Sequence, residues 1–112
     1  MFVRQVLFDL DGSLTDRDTL RAYLKAESVE AFAQVPGLRL KLWICDDVAN
    51  RWGAIFIWES RKAYDAAGPM PSRAAELIGS GPSLVNEYDV EAAVEGVFMS
   101  AALSRVGRVF DA

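Results

Sequence analysis

The chain contains no histidine. That removes Ser-His-Asp and Cys-His nucleophilic systems, His-ligated zinc and a His-bound haem. Catalysis would have to use carboxylates, Lys, Arg, Tyr, Trp, Asn, a hydroxyl or a thiol. Cys45 is the only cysteine, so no intrachain disulfide can form, and a reducing cytoplasm is the expected compartment. No apolar run approaches the ~20 residues that span a bilayer, and the opening Met1-Phe2-Val3-Arg4-Gln5 lacks the basic-then-apolar order of a secretory leader. No membrane partner is expected. Lys and Arg are scattered through a chain of net charge −4, without the basic stripe that marks nucleic-acid binding. There is no internal repeat and no low-complexity tract.

What is present is a chain of 112 residues, 52% of them hydrophobic. That predicts one domain over residues 1–112 with a single core, and no room for a large lid. Residues 2–10 predict a strand, and Asp11-Gly12-Ser13 a turn. Thr15 or Asp16 can cap a helix, with Asp18 adding negative charge to its first turn. Leu20, Tyr23, Leu24, Ala31, Phe32 and Val35 form an apolar stripe that carries this helix to about Gln34. Pro36-Gly37 stops it. Residues 38–45 alternate, with Leu38, Leu40, Leu42 and Ile44 on one face and Arg39, Lys41, Trp43 and Cys45 on the other. The connector 46–50 is short enough to make the next strand, Gly53 to Glu59, an antiparallel partner. Ser60 caps a short helix at 61–67, and Ser72 caps another ending at Gly79. A fourth strand spans 83–90, with Leu84, Asn86, Tyr88 and Val90 on one face. Residues 91–112 form a C-terminal extension: a helix, an arm on a partner, or a strand near Arg108-Val109-Phe110.

The order β-α-β-β-α-β predicts a ferredoxin-like α+β fold, an antiparallel sheet with helices on one face. The face bearing Trp43 and the alternate residues of the third strand is too apolar to leave wet. A second copy is the expected cover, giving a homodimer of the dimeric α+β barrel type.

One string points elsewhere. Phe8-Asp9-Leu10-Asp11-Gly12-Ser13-Leu14-Thr15-Asp16 resembles the nucleophile loop of the haloacid dehalogenase phosphatases. There the first Asp attacks phosphorus and the second serves as acid and base beside Mg2+. That chemistry needs further residues on successive parallel strands, and parallel strands need crossover helices. Here the hairpin at 46–52 implies antiparallel strands. Asp9 and Asp11 are therefore expected to act as turn and cap residues, and a phosphatase implies a parallel sheet.

A second resemblance covers more of the chain. Pro36-Gly37-Leu38-Arg39-Leu40-Lys41-Leu42-Trp43 is similar to the P-G-x-x-x-K-x-W strand of the YdhR-like monooxygenases, a branch of the dimeric α+β barrel proteins that include the antibiotic-biosynthesis monooxygenases. Gly53-Ala54-Ile55-Phe56-Ile57-Trp58 resembles the glycine-led aromatic third strand of that family, Ala63-Tyr64 its helical pair, and Tyr88-Asp89-Val90 the end of its fourth strand. The resemblance implies a homodimer with an apolar pocket between sheet and helices. It also implies oxygenation of an aromatic or polyketide-like small molecule without metal, flavin or other cofactor. On this basis Tyr64 and Asn86 are expected to be catalytic, and Tyr23, Phe56, Trp58 and Tyr88 to shape the substrate pocket. Trp43 is expected at the dimer interface, Arg39 and Lys41 in solvent or at the dimer seam, and Cys45 as a small buried hydrophobe. The alternative is a non-catalytic binding or structural dimer.

Overall fold

A computed structural model describes residues 1–98, 103 and 105–111. Strand β1 spans Phe2–Asp9, β2 Leu38–Asp46, β3 Arg51–Trp58 and β4 Leu84–Asp89. They form a single sheet in the order β2-β3-β1-β4, and every neighbouring pair is antiparallel. Between β1 and β2 the chain is helical, as α1 (Arg17–Tyr23), a π-helical segment (Leu24–Ser28) and α2 (Val29–Phe32). Two shorter helices, α3 (Arg61–Ala67) and α4 (Ala74–Ile78), join β3 to β4. This is the ferredoxin-like α+β arrangement, with helices on one face of the sheet. The antiparallel pairing of β2 with β3 removes the parallel sheet that the phosphatase reading implies.

The acidic turn after β1 is built from its own side chains. The Asp11 amide donates to Asp9 Oδ1 at 2.9 Å, and Asn50 Nδ2 donates to Asp11 Oδ1 at 2.8 Å. Gly12 takes a positive φ of 76°, which a Cβ would oppose. Asp16 is the N-cap of α1 and accepts from the Thr19 amide at 2.8 Å. That bond holds its carboxyl below the usual carboxylate range.

The helix face of the sheet is the apolar one. Phe2, Phe8, Ala54, Phe56, Trp52 and Trp58 are all buried there, in two adjoining clusters that Val6 and Trp43 join. The helical run contributes Leu20, Leu24, Ser28 and Phe32, each buried and four residues apart. A straight α-helix drifts about 40° over four residues, so three such steps would turn the stripe by about 120°. The wider π turn at 24–28 takes up that drift. It also places a serine hydroxyl in a stripe of hydrocarbon.

Two expectations about β2 are corrected. Arg39 forms a bulge, since Leu38 pairs with Trp58 but Leu40 pairs with Ile57. Leu38 therefore joins the helix side and leaves the leucine row. More importantly, the faces are exchanged. Lys41, Trp43 and Cys45 lie opposite Phe56, Ala54 and Trp52, so Trp43 packs under the helices and does not face outward. Leu40, Leu42 and Ile44 line the open face with Ile55 and Ile57. The leucine row is the better hydrophobic pattern, but the aromatic row faces a helix that supplies Phe32. Its ring meets those of Trp43 and Phe56 edge-on at 5.8 and 6.0 Å.

The described part of the C-terminal extension has no strand at 108–110; Arg108–Phe110 is a single 3-10 turn. Arg105 pairs with Glu30, and Arg108 with Asp47 at 3.1 Å. Val109 packs on the core beside Cys45 and Leu24. The extension was also expected to include residues 99–102, 104 and 112, which lie outside the described residues.

Candidate functional site

A cavity of about 570 Å³ opens between β2, the helical run and the C-terminal segment. Its aromatic walls are Phe32, Trp43, Trp52 and Phe110, and its apolar floor includes Leu24, Val29 and Val109. A smaller cavity of about 100 Å³ adjoins it deeper under the helices, lined by Tyr23, Ser28, Phe56 and Ala74 among others. Leu24, Lys41, Trp43 and Trp52 line both.

The charge of the larger cavity is one-sided. Arg21, Arg39, Lys41, Arg105 and Arg108 line it, and among the described residues no carboxylate does. The arginines have carboxylates behind them. Arg21 pairs with Asp18 at 3.3 Å, and Arg39 with Glu59 at 3.7 Å. Arg105 pairs with Glu30, and Arg108 with Asp47. Asp47 also accepts from the Cys45 thiol at 2.9 Å and pairs with Arg17. The thiol's hydrogen bond and then Arg108 hold its carboxyl below the usual range. Burial, reinforced by the Asp47 carboxylate, pushes the Cys45 thiol up.

Lys41 is different. Its Nζ lies 3.2 Å from the centre of the Phe32 ring, 4.4 Å from Trp43 and 4.5 Å from Phe56. Burial pushes its pKa down from 10.5 to about 6. The ring faces act the other way, because an aromatic quadrupole attracts the ammonium by about 2 kcal/mol in a desolvated site. Burial is the larger of the two effects, and the amine gives up its proton far more readily than an ordinary lysine.

The structure does not bring the six expected site residues together. Tyr23 and Phe56 line the smaller cavity. The Tyr23 hydroxyl accepts from the Arg73 amide at 2.8 Å, which anchors the loop before α4. Trp58 is fully buried in the core and stacks with Phe56 at 6.5 Å; it lines neither cavity. Tyr64 on α3 packs edge-on against Trp58 at 5.4 Å, under Arg4. It too stands apart from both cavities. Asn86 and Tyr88 are on the other side of the sheet. They pair with Gln5 and Val3 of β1, whose side chains alternate with buried Phe2 and Phe8. Asn86 Nδ2 donates to Gln5 Oε1 at 3.3 Å, so its amide bonds across the open face and away from the helices. Expecting one pocket from all six required β4 to present its aromatic row inward, and the register turns that row outward.

The sequence reading missed Lys41, Ser28 and the contribution of the C-terminal segment. Lys41 was recoverable, since it shares a face with Trp43 and Cys45 once that face is assigned to the helices. Ser28 was recoverable too, being four residues from both Leu24 and Phe32, but its hydroxyl kept it out of an apolar stripe read by residue type. Among the described residues no group of three or more His, Cys, Asp or Glu side chains is placed to hold a metal. No helix there is long and apolar enough to cross a membrane.

No protein-family profile and no curated protein sequence matches the chain. Solved structures do share its fold, and they are antibiotic-biosynthesis-monooxygenase-like proteins. A protein of Deinococcus radiodurans assigned to the antibiotic biosynthesis monooxygenases superposes with a TM-score of 0.61 at 16% identity, over 88% of this chain and 100% of its own. ActVA-Orf6 of Streptomyces coelicolor, a monooxygenase solved with the ligand Nanaomycin D, gives 0.58 at 22% identity, over 85% and 91%. A variant of SnoaB of Streptomyces nogalater, a cofactor-independent oxygenase, gives 0.55 at 17%, over 85% and 95%. The chain therefore has the ferredoxin-like α+β fold of these monooxygenases, and at such identities the likeness is one of fold.

Proposed function

We propose that the protein is a cofactor-independent monooxygenase that acts on an aromatic or polyketide-like small molecule. The observation that carries this is the aromatic-walled cavity of about 570 Å³ along the β2 edge of the sheet, lined by Phe32, Trp43 and Trp52 from the helix side and by Leu40, Leu42 and Ile44 from the open face, a size suited to a ligand of several rings. The fold is shared with a cofactor-independent oxygenase and with a monooxygenase solved with Nanaomycin D. In the reaction, an electron-rich ring system ionises and its activated CH2 carbon is attacked by O2. One oxygen atom stays as the new carbonyl, and the other leaves as water with the two hydrogens. The protein's part is orientation against the aromatic wall of Trp43 and Phe32, exclusion of water, and movement of protons.

The working form in this proposal is a homodimer. Leu42, Leu84 and Tyr88 stand out of the open sheet face at 41, 39 and 55% exposure, alongside Ile55 and Ile57. A second copy packed sheet to sheet would cover them. The single thiol fits a reducing cytoplasm. Tyr23 and Phe56 keep a place in the substrate pocket of this proposal, while Asn86 and Tyr88 pass to the dimer seam. Trp58 and Tyr64 support the sheet end of the core.

A panel of anthrones incubated with the protein should consume one O2 per quinone formed and release no H2O2, faster than in protein-free buffer. Uptake no faster than autoxidation across such a panel, with binding retained, would reduce the protein to a small-molecule-binding dimer.

A further inference from the structure

Lys41 is the one cation lining the cavity, among the described residues, whose neighbours are aromatic rings and not a carboxylate. A desolvated ammonium without a counter-ion is relieved in two ways: it loses a proton, or it gains an anion. An acidic arene offers both at once. Entering as the neutral phenol, it meets a free amine; after transfer, phenolate and ammonium form the ion pair that the empty cavity lacks. Hydrophobic walls on both sides of the amine suit the flat ring that carries such a hydroxyl. Ser28 adds an independent sign. Its hydroxyl is 1% exposed, has no hydrogen-bond partner among the described residues, and lines the same small cavity as Lys41. A buried hydroxyl ordinarily has a partner.

We propose that Lys41 takes the acidic proton of a phenolic ligand and holds the resulting phenolate, with the Ser28 hydroxyl as a further donor to the ligand's oxygen. The O–H bond of the phenol breaks and an N–H bond forms at Nζ, with no oxidant or second reactant involved. Every titratable or charged group that lines the two cavities favours the anion or is neutral to it. Arg21 comes from α1, Arg39 and Cys45 from β2, Arg105 and Arg108 from the C-terminal segment, and the Tyr23 phenol lines the smaller cavity. β3 and α2 contribute only apolar and aromatic lining. The inference rests on taking this cavity as the substrate site, and it assigns the residue that takes the proton there and the hydroxyl that joins it at the ligand's oxygen.

4-Nitrophenol is a suitable probe because its phenolate absorbs in the visible and its phenol does not. Mixed with the protein one pH unit below its own pKa, it should bind with growth of the phenolate band. Lys41→Met and Lys41→Gln should abolish that band, and Ser28→Ala should weaken binding several-fold while leaving the band. Binding as the neutral phenol by the wild type overturns the proposal, as does an unchanged band in both Lys41 variants, or no binding at millimolar probe. The spectrum needs no turnover. A phenolate band without O2 uptake sinks the oxygenase reading alone, and O2 uptake with a neutral bound phenol sinks this one alone.

Discussion

A lysine held over three aromatic rings carries an energetic cost that its replacement reveals. Because its folded pKa lies below the ordinary 10.5, at about 6, folding must push against protonation. The wild type therefore loses stability as pH falls from the ordinary lysine value to the folded one, and the loss levels off below that. Lys41→Met keeps the length and contacts of the side chain but has nothing to protonate. It should raise stability at pH 7 by about 1–3 kcal/mol, read as denaturant midpoint, and the gap should widen from pH 10 down to pH 6. A variant no more stable than wild type at pH 7, or a gap that widens with rising pH, would mean the amine is well solvated. Stability gained with binding lost is the pattern of a group kept for function. Asp9 and Asp11, by contrast, are occupied in their own turn, as the sequence implies from an Asp-Gly pair before a helix cap.

At the scale of elements, the β1–β3 pair holds the cavity's sheet in place and depends on one glycine. A Cβ at Gly53 would lie 2.0 Å from the Val6 carbonyl oxygen and 2.9 Å from a Leu7 methyl. Backbone cannot yield as a side-chain end can. Gly53→Ala should cost about 3 kcal/mol in a chemical denaturation curve, a large part of a small domain's stability; a loss under ~0.5 kcal/mol would show that the strands part easily there. The existence and order of the strands and helices were legible from hydrophobic period and from caps. Ser60, for example, accepts from the Ala63 amide at 3.0 Å as a cap should. The π turn was not legible. Its signal is a difference of tens of degrees in how a stripe drifts, which residue spacing alone does not resolve.

For the whole molecule, the exposed half of the sheet is the decisive surface. Leu42 on β2 and Ile55 on β3 are directly paired and both face outward. Leu42→Asp or Ile55→Asp should convert a dimer to a monomer in sedimentation analysis, while the helix-side core and its near-ultraviolet aromatic signal persist. A wild-type chain that sediments as a monomer at tens of micromolar would set aside the homodimer. The C-terminal segment belongs to this scale too. It closes one side of the cavity through Arg105–Glu30 and Arg108–Asp47, contacts between residues 61 to 75 positions apart in the chain.

The amino-acid sequence by itself determined the antiparallel ferredoxin-like fold. Strand and helix periods, the short connector at 46–50 and the breakers at Pro36-Gly37 are local signals, and local signals can be read locally. It also determined that the acidic turn is a turn. Only the tertiary structure decided which face of β2 lies under the helices, because alternation states that two faces differ and not which partner each one meets. That choice carries Lys41 and Trp43 into the cavity, and the register of β4 on β1 sends Asn86 and Tyr88 to the opposite side. A one-residue bulge at Arg39 moves Leu38 to the helix side, and one wider helical turn takes up the drift of the buried stripe; neither has a period of its own to be seen in the sequence.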